Sequence, residues 1–199
     1  TIVITGPSGS GKSYLSNKLS TLFYNSIVVK TDSYYRDNIL IKFLSVFLYD
    51  IYDRPLSINK NEIKNTLRSI NKRNRKISFY NYDFKRKHSS KITINIDYKS
   101  DNQFLILEGI FSHRIGINNN ETINILCKDK KEICFKRRLK RDQYERGRNT
   151  REVKRKFNTS WNLFYKNIGS YLNSNKVIIL DQEDKNSYEK LVLQLKKIK

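Results

Sequence analysis

Three groups of residues in this 199-residue chain have the types and spacing that phosphate chemistry requires. The first is Gly6-Pro7-Ser8-Gly9-Ser10-Gly11-Lys12-Ser13, which follows the apolar run Ile2-Val3-Ile4. It fits the phosphate-loop pattern G-x-x-x-x-G-K-[ST] in the required context, a strand before and a helix after. Glycine lets the backbone curl around a phosphate chain with its N–H groups inward. Lys12 would bring a mobile positive charge to the β and γ phosphates, and Ser13, opening the helix, would offer its hydroxyl to Mg²⁺. With Tyr14 directly after, Gly6, Ser8, Gly9, Ser10, Gly11, Lys12, Ser13 and Tyr14 form the expected nucleotide-binding stretch. The plain alternative is a glycine-rich turn with no ligand.

Carboxylates form the second group. Asp32 lies in Lys30-Thr31-Asp32-Ser33-Tyr34-Tyr35-Arg36, just past the apolar run Ile27-Val28-Val29. Open α/β sheets bind ligands beyond the carboxyl ends of their strands. Asp32 is therefore placed to take the proton of an acceptor hydroxyl or to hold a metal's water, unless it is only a helix cap. Glu108 follows Phe104-Leu105-Ile106-Leu107 in the same way, and Gly109 beside it permits close backbone approach, which suits a water-mediated Mg²⁺ contact. Asp53 stands in the turn Tyr52-Asp53-Arg54-Pro55, where an ionised carboxylate could accept from sugar hydroxyls. Taken alone it reads as a turn residue.

Arginines are the third group. Arg137, Arg138, Arg141, Arg146 and Arg148 crowd residues 131–148 around Asp142 and Glu145, with Gly147 as a hinge or helix end. Planar bidentate donors suit a lid over transferring phosphates, and an RNA-binding helix is the competing reading. Upstream, Tyr80 to Ser90 reads as the aromatic and basic tip of a flap, in which Tyr82 and Phe84 could stack on a base or sugar or simply pack under a loop.

The elements that must hold these groups follow from hydrophobic periodicity. Leu15, Leu19 and Leu22 predict an amphipathic helix over 12–24, and short apolar runs predict buried strands at 27–29, 104–107, 123–127 and 177–180. Ile58, Ile63, Leu67 and Ile70 mark a surface helix. Alternation at Ile77, Phe79 and at Ile92, Ile94, Ile96 predicts two half-buried strands. Val153, Phe157, Trp161, Phe164 and Ile168 form a core stripe, and Tyr188, Leu191, Val192 and Leu195 a closing helix. Residues 38–52 are apolar nearly all round. They are too short for a membrane span of about 20 residues, so a core helix is the default and a partner surface the second reading. With no repeat or interdomain linker, 1–199 reads as a single domain with a hairpin flap at 71–98 and an arginine-rich lid at 131–151.

Net charge is +21. Lys and Arg are spread along the chain, which argues for general basicity and phosphate steering rather than a dedicated nucleic-acid site. Cys127 and Cys134 fit no zinc or redox spacing and are expected as buried, reduced thiols. No cationic leader or long apolar segment precedes the loop, so a cytoplasmic location is expected, and the missing Met implies residues ahead of Thr1.

Taken in order, these segments resemble the uridine kinase and phosphoribulokinase family of phosphate-loop kinases. The matching pieces are Gly6 to Ser13; Thr31-Asp32-Ser33-Tyr34-Tyr35; Tyr52-Asp53-Arg54-Pro55; Tyr80 to His88; Leu107-Glu108-Gly109; and Arg138 to Arg148, like R-x-x-R-D-x-x-E-R-G-R. The resemblance implies an α/β fold of the P-loop NTPase type: a parallel sheet flanked by helices with a small β-hairpin flap subdomain, often in tetramers. It implies transfer of the γ-phosphoryl of ATP or GTP, with Mg²⁺, to the 5′-hydroxyl of uridine or cytidine. Asp32 would be the general base and touch the metal shell, and Glu108 with Ser13 would place Mg²⁺. Asp53 would hold the ribose, Tyr82 and Phe84 the nucleoside; Arg138, Arg141 and Arg146 would close on the phosphates, with Arg148 nearer the substrate. The chain departs from the family where Lys87 occupies the place of a base-reading His, with His88 one residue on and able to reach the base after a one-residue slip. Arg54, Lys156, Asn149 and the apolar stretch 38–48 also depart. Lys87, Arg54 and Lys156 keep open a related kinase for a sugar phosphate or vitamin precursor, and the net charge of +21 keeps open a nucleotide-dependent RNA-binding protein without turnover. The expected partner is a small molecule, with no membrane and with a homo-oligomer, dimer or tetramer.

Overall fold

The structure is a computed structural model that describes residues 1–48, 51–86, 88–98, 104–117, 121–174, 176–184 and 186–198. At its centre runs β1 (Ile2–Thr5), with all four side chains buried. Such an apolar run belongs in a parallel sheet covered on both faces. β1 pairs in parallel with β5 (Leu105–Glu108) on one side and β6 (Ile123–Lys128) on the other. The outer strands β2 (Ile27–Lys30) and β7 (Val177–Asp181) complete a five-stranded sheet in the order β2-β5-β1-β6-β7. Register pairs Ile4 with Glu108 and Lys30 with Glu108, so the ends of β1, β2 and β5 lie level.

Helices α1 (Lys12–Leu22) and α6 (Ser187–Ile198) supply Leu15, Leu19, Leu191 and Leu195 to a core shared with Ile2, Ile4 and Ile125. A second core forms where α3 (Lys60–Asn71) meets the hairpin of β3 (Lys76–Asp83) and β4 (His88–Asn95); Ile63, Leu67, Ile70 and Ile77 pack there with Val29, Leu107 and Phe111. Long α5 (Thr150–Ser174) follows α4 (Lys131–Arg146) and adds Phe164, Ile168 and Tyr171 against Leu126. Cys127 and Cys134 are buried and free, and burial pushes their thiols up to about 12 and about 11.

Two expectations fail. The apolar stretch forms α2 (Ile39–Phe47), but only Ile41 on it is buried, whereas Ile39 is 87% exposed and Phe47 68%. The helix rests on the single turn at Ile51–Asp53, and Ile39, Leu40, Phe43, Val46 and Phe47 turn outward as a stripe, so the core reading gives way. Likewise β4 is exposed along most of its length, with Ile92 and Ile94 both open to solvent. The hairpin meets α3 and the turn at Thr31–Ser33 through β3, which leaves the outer strand without a covering layer.

His113, on a turn after β5, is buried against Tyr171 with its Nδ1 2.9 Å from the Thr5 hydroxyl at the entrance to the phosphate loop. Burial, with Arg114 and Lys60 nearby, lowers its pKa to about 4. The folded state thus holds His113 neutral, while the unfolded chain binds a proton below about 6.5. Stability tied to His113 is therefore full near pH 7 and falls as pH drops toward 4, by up to about 3 kcal/mol. Urea unfolding at pH 7 and pH 4.5 should show His113→Gln losing less stability between the two than wild type; equal losses would refute the assignment.

Candidate active site

The phosphate loop leaves β1 at Thr5 and enters α1 at Lys12. Gly9 and Gly11 take φ of +87° and +85°, the left-handed region that L side chains avoid. At Gly9 a Cβ would also collide with the backbone carbonyl of Cys134, so the loop is pressed against α4. Ser8, Gly9, Gly11, Lys12, Ser13 and Tyr14 line a cleft of about 700 Å³, while Gly6 and Ser10 fall outside that lining. Lys12 is buried, and its Nζ donates to the Pro7 carbonyl at 2.9 Å, parked on its own loop. The buried hydroxyl of Ser10 has no hydrogen-bond partner.

Three of the predicted residues converge next to Lys12. Ser13 Oγ donates to Glu108 Oε1 at 3.0 Å. Asp32, on the turn after β2, accepts the Ile110 N–H at 3.0 Å and 3.3 Å through its two oxygens. Burial raises its pKa to about 6, opposed by Lys12 and reinforced by Glu108. Gly109 permits this approach, since a Cβ there would strike the Thr31 hydroxyl and lie 2.7 Å from Asp32 Oδ1. Among the described residues no group of three or more His, Cys, Asp or Glu suits a metal by itself. One hydroxyl and two carboxylates fit Mg²⁺, which relies on substrate phosphates and water for its other ligands.

The far end of the cleft is aromatic. Tyr35, Tyr52, Tyr82 and Phe84 pack with ring centroids 5.0 to 5.8 Å apart, and all four line the cleft. Packing and lining thus coexist for Tyr82 and Phe84. The buried hydroxyls of Tyr52 and Tyr82 lie beside one another without a well-formed hydrogen bond. Asp53 is held by Arg138 at 3.3 Å; burial raises its pKa against the pull of Arg138 and Lys156. His88 does not join them: its ring is exposed, sits 3.1 Å from Asp37 and is not part of the cleft lining. Lys87 lies outside the described residues. Lys156 lines the cleft and pairs with Glu152 at 3.0 Å.

The arginines are ordered differently from a free lid. Arg138 is 3% exposed and fixed between Asp53 and the Ser160 hydroxyl, because α4 packs along α5 there. It is therefore part of the cleft wall. Arg141, Arg146 and Arg148 line the cleft, and each pairs with the fully buried Asp142, at 2.7, 3.4 and 2.9 Å. Arg146 also stacks on the Phe84 ring, 3.6 Å from its centroid. Arg137 and Asp142, which the sequence places in this segment without individual roles, tie it together. Arg137 binds Asp129 at 2.7 Å and the Gly9 carbonyl at 3.2 Å, tying α4 to the loop. Asp142 stands four residues from both Arg138 and Arg146, a spacing that puts all three on one helix face.

With this geometry in place, comparison with known proteins gives a consistent answer. The profile of the Phosphoribulokinase / Uridine kinase family matches residues 1–186. The chain belongs to this family. Uridine kinase from Ureaplasma parvum serovar 3 is 33% identical over 156 residues, covering 76% of this chain and 73% of that protein. Uridine kinase from Borrelia duttonii is 30% identical over 153 residues, covering 76% and 71%. A solved structure titled a possible uridine kinase from Bacillus stearothermophilus superposes with a TM-score of 0.56 at 16% identity, over 88% of this chain and 86% of that one, and shares the fold. As a family member the protein is an ATP-dependent phosphotransferase. No described helix is long and apolar enough to cross a membrane.

Proposed function

We propose that this kinase transfers the γ-phosphoryl of ATP or GTP, with Mg²⁺, to the 5′-hydroxyl of uridine or cytidine, in the cytoplasm. One observation carries the reading: the half-buried Asp32 lines the same cleft as the phosphate loop and the aromatic pocket with Asp53. A planar base suits the Tyr82 and Phe84 rings, and a sugar hydroxyl suits the Asp53 carboxylate. Asp32 accepts the proton of the attacking hydroxyl as its oxygen bonds to the γ phosphorus and the bond to the β-bridging oxygen breaks. Lys12 exchanges the Pro7 carbonyl for phosphate oxygens, and Arg141 and Arg146 neutralise charge on the transferring group. Ser13, Asp32 and Glu108 are the residues that would hold Mg²⁺, which would supply positive charge to offset that of the phosphates. These groups chiefly hold the reactants in line.

A base must be ionised to work, and a pKa near 6 in the unliganded protein places the acidic limb of kcat/KM there: kcat/KM falls as pH drops below about 6 and is level above it. Asp32→Asn should cut kcat by about 10²-fold or more while sparing ATP binding. Full turnover in that variant would remove Asp32 from the role.

A second reading is favoured by Arg148, Arg155 and Lys156, all in the cleft lining beside Asp53: an anionic acceptor such as a sugar phosphate. ADP release measured with uridine, cytidine, ribulose 5-phosphate and no acceptor separates the two. Stimulation by the nucleosides is expected, and stimulation by the sugar phosphate alone would transfer the activity to that class.

The outward apolar stripe of α2 supports a homo-oligomer, dimer or tetramer. Sedimentation should show an oligomer that Phe43→Ser with Phe47→Ser dissociates; a monomeric wild type would end this part of the proposal.

A further inference from the structure

We propose that Asp142 is the positioning residue of the arginine cluster: one buried carboxylate sets Arg141, Arg146 and Arg148 so that their remaining N–H groups meet phosphate in the cleft. This rests on the reading of the cleft as a phosphate site. Asp142 is fully buried and does not itself line the cleft, whereas all four of its arginine partners do. Its Oδ1 takes Arg141 through Nε at 2.9 Å and Nη2 at 2.7 Å, and lies 3.4 Å from Arg146 Nη1. Its Oδ2 takes Arg148 Nη1 at 2.9 Å and lies 3.6 Å from Arg138 Nε.

The local backbone is arranged for this convergence. Arg138, Asp142 and Arg146 follow one another at four-residue steps along α4. Gly147 then ends the helix with φ of +63°, and the Arg148 N–H bonds back to the Asp142 carbonyl at 3.2 Å. That left-handed turn returns Arg148 to a carboxylate six residues behind it, a course that a side chain at position 147 would oppose.

The ratio of charges separates this cluster from an ordinary structural ion pair. Asp142 meets four guanidiniums, and with Asp53 on Arg138 and Glu152 3.6 Å from Arg148 the carboxylates still number three against four, a positive excess that suits a polyanion. Without the carboxylate the guanidiniums would repel one another, and each long side chain would regain its rotamer freedom. The cluster also links the two halves of the cleft, since Arg138 holds Asp53 and Arg146 covers Phe84. Asp142 therefore acts on phosphate only through arginine.

The test is calorimetric binding of tripolyphosphate, with steady-state kinetics on Mg·ATP, for wild type, Asp142→Asn, Arg146→Ala and the double variant. Asp142→Asn should weaken tripolyphosphate binding by about tenfold or more, and Arg146→Ala should add little on that background, because both changes disable the same contact. Additive losses accompanied by a fallen Tm would make Asp142 a residue of the fold alone. Unchanged or tighter tripolyphosphate binding would show that Asp142 only competes with phosphate. Should Asp142→Asn not fold, the same cycle on Asp142→Glu, which keeps the charge and shifts it by one methylene, decides by the same criteria. If wild type binds no tripolyphosphate, the phosphate reading of the cleft falls as well, an outcome distinct from a wild type that binds and a variant that does not differ.

Discussion

The parallel pairing of β1 between β5 and β6 is the constraint on which the site depends. A strand buried on both faces can satisfy its backbone only by hydrogen bonds to its neighbours, so its register is strongly specified. That register sets Ile4 opposite Glu108, and β2 in turn sets Lys30 opposite the same residue. The loops leaving β1, β2 and β5 must then emerge side by side. From this follow the Ser13 to Glu108 hydrogen bond and the hold of the Ile110 N–H on Asp32, contacts between residues 78 to 95 positions apart in the chain.

Electrostatics then decide what the carboxylates can do. The cleft half-buries Asp32 and Asp53, with Asp142 fully buried behind its wall, in a chain of net charge +21, but the three fare differently. Loss of water dominates at Asp32 and Asp53 and raises both above the usual carboxylate range. Burial pushes Asp142 upward too, but Arg141, Arg146 and Arg138 outweigh it and hold the carboxyl below the usual range. Cations also lie near the other two, Lys12 and Arg141 at Asp32 and Arg138, Lys156 and Arg148 at Asp53, but there they do not offset the loss of water.

Packing explains the expectations that failed. Apolar content and helical spacing are the same for a helix covered by a core and for one left uncovered, so residues 39–47 could not reveal that only Ile41 faces inward. The alternation at Ile92 and Ile94 has the same ambiguity, because a strand's two faces are labelled by pattern but not by which has a neighbour. The places of His88 and Arg138 are likewise set by packing. His88 pairs with Asp83 at the end of the hairpin and lies beside Asp37, and the packing of α4 along α5 buries Arg138 against Asp53.

The sequence alone determined those parts of the protein whose physics is local. The phosphate loop is legible because glycine, lysine and serine at fixed offsets are what a backbone needs to wrap phosphate, and the buried strands are legible because a parallel sheet demands continuous apolar runs. Asp32 and Glu108 could be placed from their position after such strands. Only the tertiary structure decided which charges meet: that Arg138 belongs to Asp53, that Asp142 gathers Arg141, Arg146 and Arg148, and that Lys12 rests on Pro7. Long side chains reach over several ångströms in many directions, so their partners are chosen by the packing of whole helices and by which carboxylates are denied water, and neither is written in any short stretch of residues.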